Sequence, residues 1–159
     1  MKNILFVILV AFAAWSCDKE DPETQGTPME RLTGTESKKW KLNFAEARDK
    51  QGLSVQLMNG YYECWADNIL TLYTNGTYTL EDEGKRCVDS ENISSSWQLT
   101  DNSTRIKLAN FDIAGETFEN LELEVKEIKK SSFSGIARNV SYGALVADEV
   151  ELRFSVVTD

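Results

Sequence analysis

The chain has 159 residues, a net charge of −9 and no histidine. Without an imidazole there is no Ser-His-Asp or Cys-His nucleophile system, and the commonest ligand of zinc, iron and copper is missing. The acidic balance argues against nucleic acid, whose phosphates would be repelled, and against docking on anionic lipid through a basic patch.

The first element is a targeting segment. Lys2, an apolar run from Ile4 to Ala14 and the small-residue approach Ala14-Trp15-Ser16 form a secretory signal. The run is too short to cross a bilayer as a helix. It ends on Cys17, which resembles the acylated cysteine of a bacterial lipobox, although Ala14 stands where leucine is usual and Trp15 is bulky. The alternative is an ordinary signal cut after Ala13, with Cys17 an incidental thiol. On the lipobox reading, residues 1–16 are a signal peptide, 17–27 a lipidated tether and 28–159 one domain. The membrane link is then lipid, and more than one acyl chain makes a stable anchor. The acidic start Asp18-Lys19-Glu20-Asp21 resembles a surface-export signal in some Gram-negative bacteria and an inner-membrane retention signal in others. The expected location is the Gram-negative cell envelope, as an outer-membrane lipoprotein facing the periplasm or the surface.

Residues Asp18 to Gln25 hold no apolar side chain and read as a solvated, extended spacer. Thr27-Pro28-Met29-Glu30 reads as a capping box with proline at the first helical position, and Gly34 would end a single helical turn.

After Lys38 the apolar period becomes two, the spacing of half-buried strands. Trp40, Leu42 and Phe44 alternate with polar residues. So do Leu70 and Leu72, Tyr78 and Leu80, Trp97 and Leu99, Ile106 and Leu108, and Leu121, Leu123 and Val125. Phe133 heads a run with Gly135 and Ala137, and Val150, Leu152, Phe154 and Val156 close the chain. Turn signals such as Asn75-Gly76 and Lys129-Lys130-Ser131 separate the runs. Phe111 and Phe118 fall off the parity of their neighbours, which marks a bulge or a loop. These runs predict an all-β fold, an eight-stranded antiparallel up-and-down barrel, because closure covers the apolar face and removes both edges. A two-sheet β-sandwich is the alternative.

If Cys17 carries lipid, Cys64 and Cys87 remain as a pair. A two-residue Asn-Gly turn would set them directly opposite. A three-residue turn with Gly76 left-handed pairs Leu70 with Leu80 and Leu72 with Tyr78, leaving the cysteines one residue out of step, which one bulge would repair. Either register brings them near enough for a disulfide, whose loop closure would stabilise the fold by roughly 3 kcal/mol.

Lys38-Lys39-Trp40-Lys41-Leu42, Cys64, Asp67-Asn68-Ile69-Leu70-Thr71-Leu72, Asn75-Gly76-Thr77-Tyr78, Cys87 and Ser96-Trp97-Gln98-Leu99 are similar to the lipocalin-like lipoproteins of Gram-negative bacteria. The resemblance runs over about residues 30–157. It implies an eight-stranded barrel on a lipid tether and a cup for a small hydrophobic ligand. Gly34 and Trp40 are further apart than the Gly and Trp of lipocalin first strands, and no C-terminal helix follows the last strand.

Residues 45–67 form the longest stretch without strand pattern and correspond to the loop that lids a lipocalin. They carry Leu57, Met58, Tyr61, Tyr62 and Trp65, which stack on a ligand or pack down as a plug. Trp40, Phe44, Leu70, Leu72, Tyr78, Trp97, Leu99, Leu123 and Phe154 are expected to line the interior. A lumen of this size is filled by side chains or holds one small ligand. The acidic run Glu81-Asp82-Glu83 lacks the ligand spacing of a calcium loop. The chain is therefore expected not to be an enzyme and to need neither cofactor nor metal. The expected function is a membrane-anchored binding module for a small hydrophobic molecule. The alternative is a filled barrel that contacts a protein or polysaccharide partner.

Overall fold

The computed structural model of the chain describes residues 21–58, 66–84, 92–113, 116–142 and 145–158. A 3-10 turn over Pro22–Thr24 and helix α1 (Pro28–Thr33) precede the strands β1 (Ser37–Arg48), β2 (Ser54–Gln56), β3 (Asn68–Tyr73), β4 (Thr77–Asp82) and β5 (Ile93–Thr100). They are followed by β6 (Arg105–Ile113), β7 (Glu116–Ile128), β8 (Ser132–Tyr142) and β9 (Leu145–Val156). Strands β1 and β3 to β9 pair antiparallel in chain order, and β9 returns to β1 from Trp40↔Val156 to Arg48↔Glu149. That last ladder closes an eight-stranded barrel and rules out the open sandwich.

Strand β2 is extra. It pairs with the end of β1 through Glu46↔Gln56 and Arg48↔Ser54, in a stretch expected to be loop. Three residues are too few to show an alternation, so periodicity had nothing to register.

The hairpin of β3 and β4 takes the three-residue register, with Leu70↔Leu80 and Leu72↔Tyr78. Gly76 has φ 81°, a left-handed conformation that glycine adopts without strain. The Asn75 side chain accepts from the Thr77 amide at 3.0 Å and holds the turn. Beyond the ladder, Asp67 still faces Gly84. Cys64 and Cys87, each three residues further on, lie outside the described residues.

Helix α1 has both halves of its capping box: Thr27 accepts from the Glu30 amide at 3.2 Å, and Glu30 from the Thr27 amide at 2.7 Å. Its Leu32 is completely buried, and the Leu32 carbonyl accepts from the Trp40 indole at 2.8 Å. The helix therefore plugs one end of the barrel, the base. The base also holds the turns β3–β4, β5–β6 and β7–β8, at residues 74–76, 101–104 and 129–131.

The segment before α1 is docked rather than a free spacer. The Lys130 amide donates to the Glu23 carbonyl at 2.8 Å, and the Glu23 carboxylate accepts from the Ser131 amide at 2.9 Å and from the Ser131 hydroxyl. Arg31 donates back to the carbonyls of Thr24 and Gly26. A run of polar residues reads as solvated, but these same polar groups match the β7–β8 turn.

Candidate functional site

The base half of the lumen is solid. Trp40, Leu72, Tyr78 and Leu123 are 0 % exposed and Trp97 is 2 % exposed. Space large enough for water against these side chains would leave part of them uncovered. Phe133 stands edge-on to Trp40 at 4.9 Å between ring centroids and stacks on Phe154 at 4.4 Å. The Trp97 indole donates to the Tyr73 carbonyl at 3.0 Å, so its one polar atom is satisfied without a guest. Leu99 packs half-buried against the edge of this core.

Phe44 does not line the interior. The β1–β9 register shifts between Leu42 and Phe44, so Ala45 and Ala47 take the inward positions and Phe44 turns out opposite Arg153. The Arg153 guanidinium lies over the Phe44 ring, 4.2 Å from its centroid. A bulge reverses the parity of every residue beyond it, and β1 keeps an alternating sequence on both sides.

The far half is built differently. Its inward positions on β1, β8 and β9 include the small residues Ala45, Ala47, Ala137 and Ala147, beside Val140 and Val150. Leu57 fills part of that room; it is 3 % exposed, and its amide donates to the Ala45 carbonyl at 2.8 Å. Met58 packs half-buried beside it, so these two loop residues behave as a plug. Tyr61, Tyr62 and Trp65 lie outside the described residues. The strand ends bordering residues 59–65, 85–91, 114–115 and 143–144 all sit at this far end. So do Leu53, Val55 and Val146, at 71 %, 55 % and 74 % exposed.

The far wall is also divided. The β5–β6 ladder stops at Trp97↔Leu108, and the β7–β8 ladder stops at Leu123↔Ala137. Beyond those points β6 and β7 stay paired with each other out to Ile113↔Glu116, and β8 with β9 out to Tyr142↔Leu145. Each ribbon has a left-handed asparagine at its root, Asn110 at φ 50° and Asn139 at φ 53°. Asparagine tolerates that conformation better than most residues. The half-turn it inserts makes Phe111 and Val140 point inward three residues after Leu108 and Ala137. The break in parity around Phe111 and Phe118 is thus this kink; the two rings are directly paired, with the register unbroken from Arg105↔Glu124 to Ile113↔Glu116.

Between the two ribbons lies a groove of about 250 Å³. Its floor is Phe118, Leu121 and Val140, and its rim carries Asn120, Glu122, Arg138 and Ser141. Hydrogen bonding from Arg105, and next from Lys107, holds the Glu122 carboxyl below its ordinary range. Arg138 is engaged by Glu124 at 3.0 Å and by Glu149. Glu119, exposed beside the groove, forms no ion pair among the described residues. Among the described residues, no three or more acidic or cysteine side chains converge as a metal site.

Periodicity could not reveal this groove, because it depends on which strands stop pairing. The one available signal was the pair of asparagines, Asn110 and Asn139, inside otherwise alternating runs.

Fold and site together define a closed antiparallel barrel with a helix-plugged base and a divided far wall. No protein-family model matches the sequence, and no curated protein matches it.

Proposed function

We propose that the chain is a lipid-anchored envelope protein whose filled barrel contacts a macromolecular partner, rather than a carrier of small molecules. The observation that carries this reading is the complete burial of Trp40, Leu72, Tyr78 and Leu123, which leaves no room against the residues a carrier would use. The exposed apolar side chains at the far end support it.

Anchorage through an acylated Cys17 would orient this surface. Asp21 is only four residues from Cys17, a reach of at most about 14 Å. Glu23 fastens that segment to the base through Ser131. The base then faces the bilayer, of the outer membrane on this reading, and the far end points away from it.

A second reading rests on the alanine-lined far half. Ala45, Ala47, Ala137 and Ala147 do not fill the lumen by themselves, and on this reading a small hydrophobic ligand seats among them. Native mass spectrometry of protein extracted from its own membrane separates the two. The expected mass is that of the acylated chain alone; a retained hydrophobic molecule, lost in Ala47→Phe, overturns the partner reading. Cys17→Ser should release the protein from membranes, and unchanged fractionation would refute the anchor.

A further inference from the structure

We propose that the gap between β7 and β8 receives an extended segment of a partner polypeptide, which adds as a strand and carries neutral or basic residues between apolar ones. This deepens the partner reading above and rests on it.

Two edges of one barrel lie apart here. Among the described residues, β7 from Glu122 back to Phe118 is paired only with β6, and β8 from Arg138 to Tyr142 only with β9. Among the described residues, each edge therefore has backbone N–H and C=O groups with no strand across from it. The β5–β6 ladder also ends early, at Trp97↔Leu108, but there the Tyr78 hydroxyl caps the freed Ala109 carbonyl, whereas closure of a barrel otherwise abolishes such edges. On β7 from Phe118 to Glu122, and on β8 beyond the left-handed Asn139, these backbone groups recur at strand spacing, which is matched by one chemical partner, another extended backbone. A small apolar molecule would cover the groove and leave those groups unsatisfied.

The groove also fits a strand in its side chains. Alternate residues of an added strand would point inward onto Phe118, Leu121 and Val140. A volume of about 250 Å³ suits one or two such side chains. The residues between them would meet the rim. There the Arg138 guanidinium is already held by Glu124 and Glu149, and the exposed Glu119, next in sequence to the lining residues Phe118 and Asn120, has no cation among the described residues. With a chain charge of −9, the rim favours a strand that is not acidic. The asparagines at the ribbon roots let the two walls diverge without breaking either hairpin.

The test uses the full chain purified in detergent and a fluorescent octapeptide of alternating valine and lysine. Controls are the same peptide N-methylated at every second amide, and an alternating valine–glutamate octapeptide. The valine–lysine peptide should bind, N-methylation should weaken it by about tenfold or more, and the glutamate peptide should bind more weakly. Glu119→Lys, at an exposed position, should lower affinity for the lysine peptide by about threefold. Hydrogen exchange over residues 117–123 and 137–142 should be fast in the free protein and slowed by the peptide. Slow exchange there in the free protein, protection confined to other segments, or equal binding of the N-methylated peptide would each overturn the proposal. So would protection gained merely by concentrating the protein, which would make the occupant a second copy. Retention of a hydrophobic ligand in native mass spectrometry would instead strike at the partner reading, so the two failures are separable.

Discussion

The hydroxyl of Tyr78 donates to the carbonyl of Ala109 at 2.8 Å, from a strand that is not its neighbour in the wall. Ala109 is the first residue of β6 beyond the point where the ladder to β5 ends. A side chain from β4 thus supplies across the lumen the donor that β5 no longer provides. Tyr78→Phe keeps the ring and removes only the donor. It should destabilise the fold by about 1–3 kcal/mol, read by denaturant unfolding, and speed hydrogen exchange over residues 109–113. Unchanged exchange there would show that the hydroxyl does not hold the ribbon.

The contact between Glu23 and Ser131 should make the attachment of the N-terminal segment depend on pH. Two hydrogen bonds from Ser131, that of its hydroxyl first, hold the Glu23 carboxyl below its ordinary 4.5. Because the folded value is the lower one, the contribution is complete above the unfolded value and is lost as pH falls through the folded value. Limited proteolysis between residues 21 and 27 should therefore accelerate only once the pH is taken below the ordinary carboxylate range. Glu23→Gln should show fast cleavage already at neutral pH. Equal cleavage of both proteins at neutral pH would argue against the contact.

Gly135 sits where β7 and β8 are still joined. A Cβ there would fall 3.0 Å from both the Glu124 carbonyl oxygen and the Leu123 Cβ. Gly135→Ala should cost about 1–3 kcal/mol, measured as a lower unfolding midpoint, because the first of these neighbours is backbone and cannot rotate away. A neutral effect would mean that the ladder yields at this point as well.

Asp67, before β3, faces Gly84, after β4, three residues short of Cys64 and Cys87. A disulfide between them is expected. Intact-mass analysis before and after reduction should show the gain of two hydrogens, and Cys64→Ser with Cys87→Ser should lower stability by roughly 3 kcal/mol. Two thiols that react with an alkylating agent in the unreduced native protein would exclude it.

Strand number and order were readable from alternation, because a closed barrel has one wet and one dry face and each strand records both. The β3–β4 register was readable too, since Leu70 and Leu72 have apolar partners only when Gly76 takes the left-handed turn. Phe44 was not. It alternates correctly with Leu42, and only the register slip against β9 turns it outward beneath Arg153. Strand β2 was too short to carry a pattern, and Glu23 meets Ser131 across 108 residues of chain, a distance no local pattern spans.

By itself the sequence determined the class of fold, the helical plug with its capping box, the absence of imidazole chemistry and the expectation of an acylated Cys17. These depend on residue types and short spacings, which act through local backbone preference and burial. Tertiary structure alone decided that the base of the lumen is packed solid, that the segment before the helix is fastened to the base and that the wall opens between β7 and β8. Each of these depends on which distant segments meet, or fail to meet, when the barrel closes.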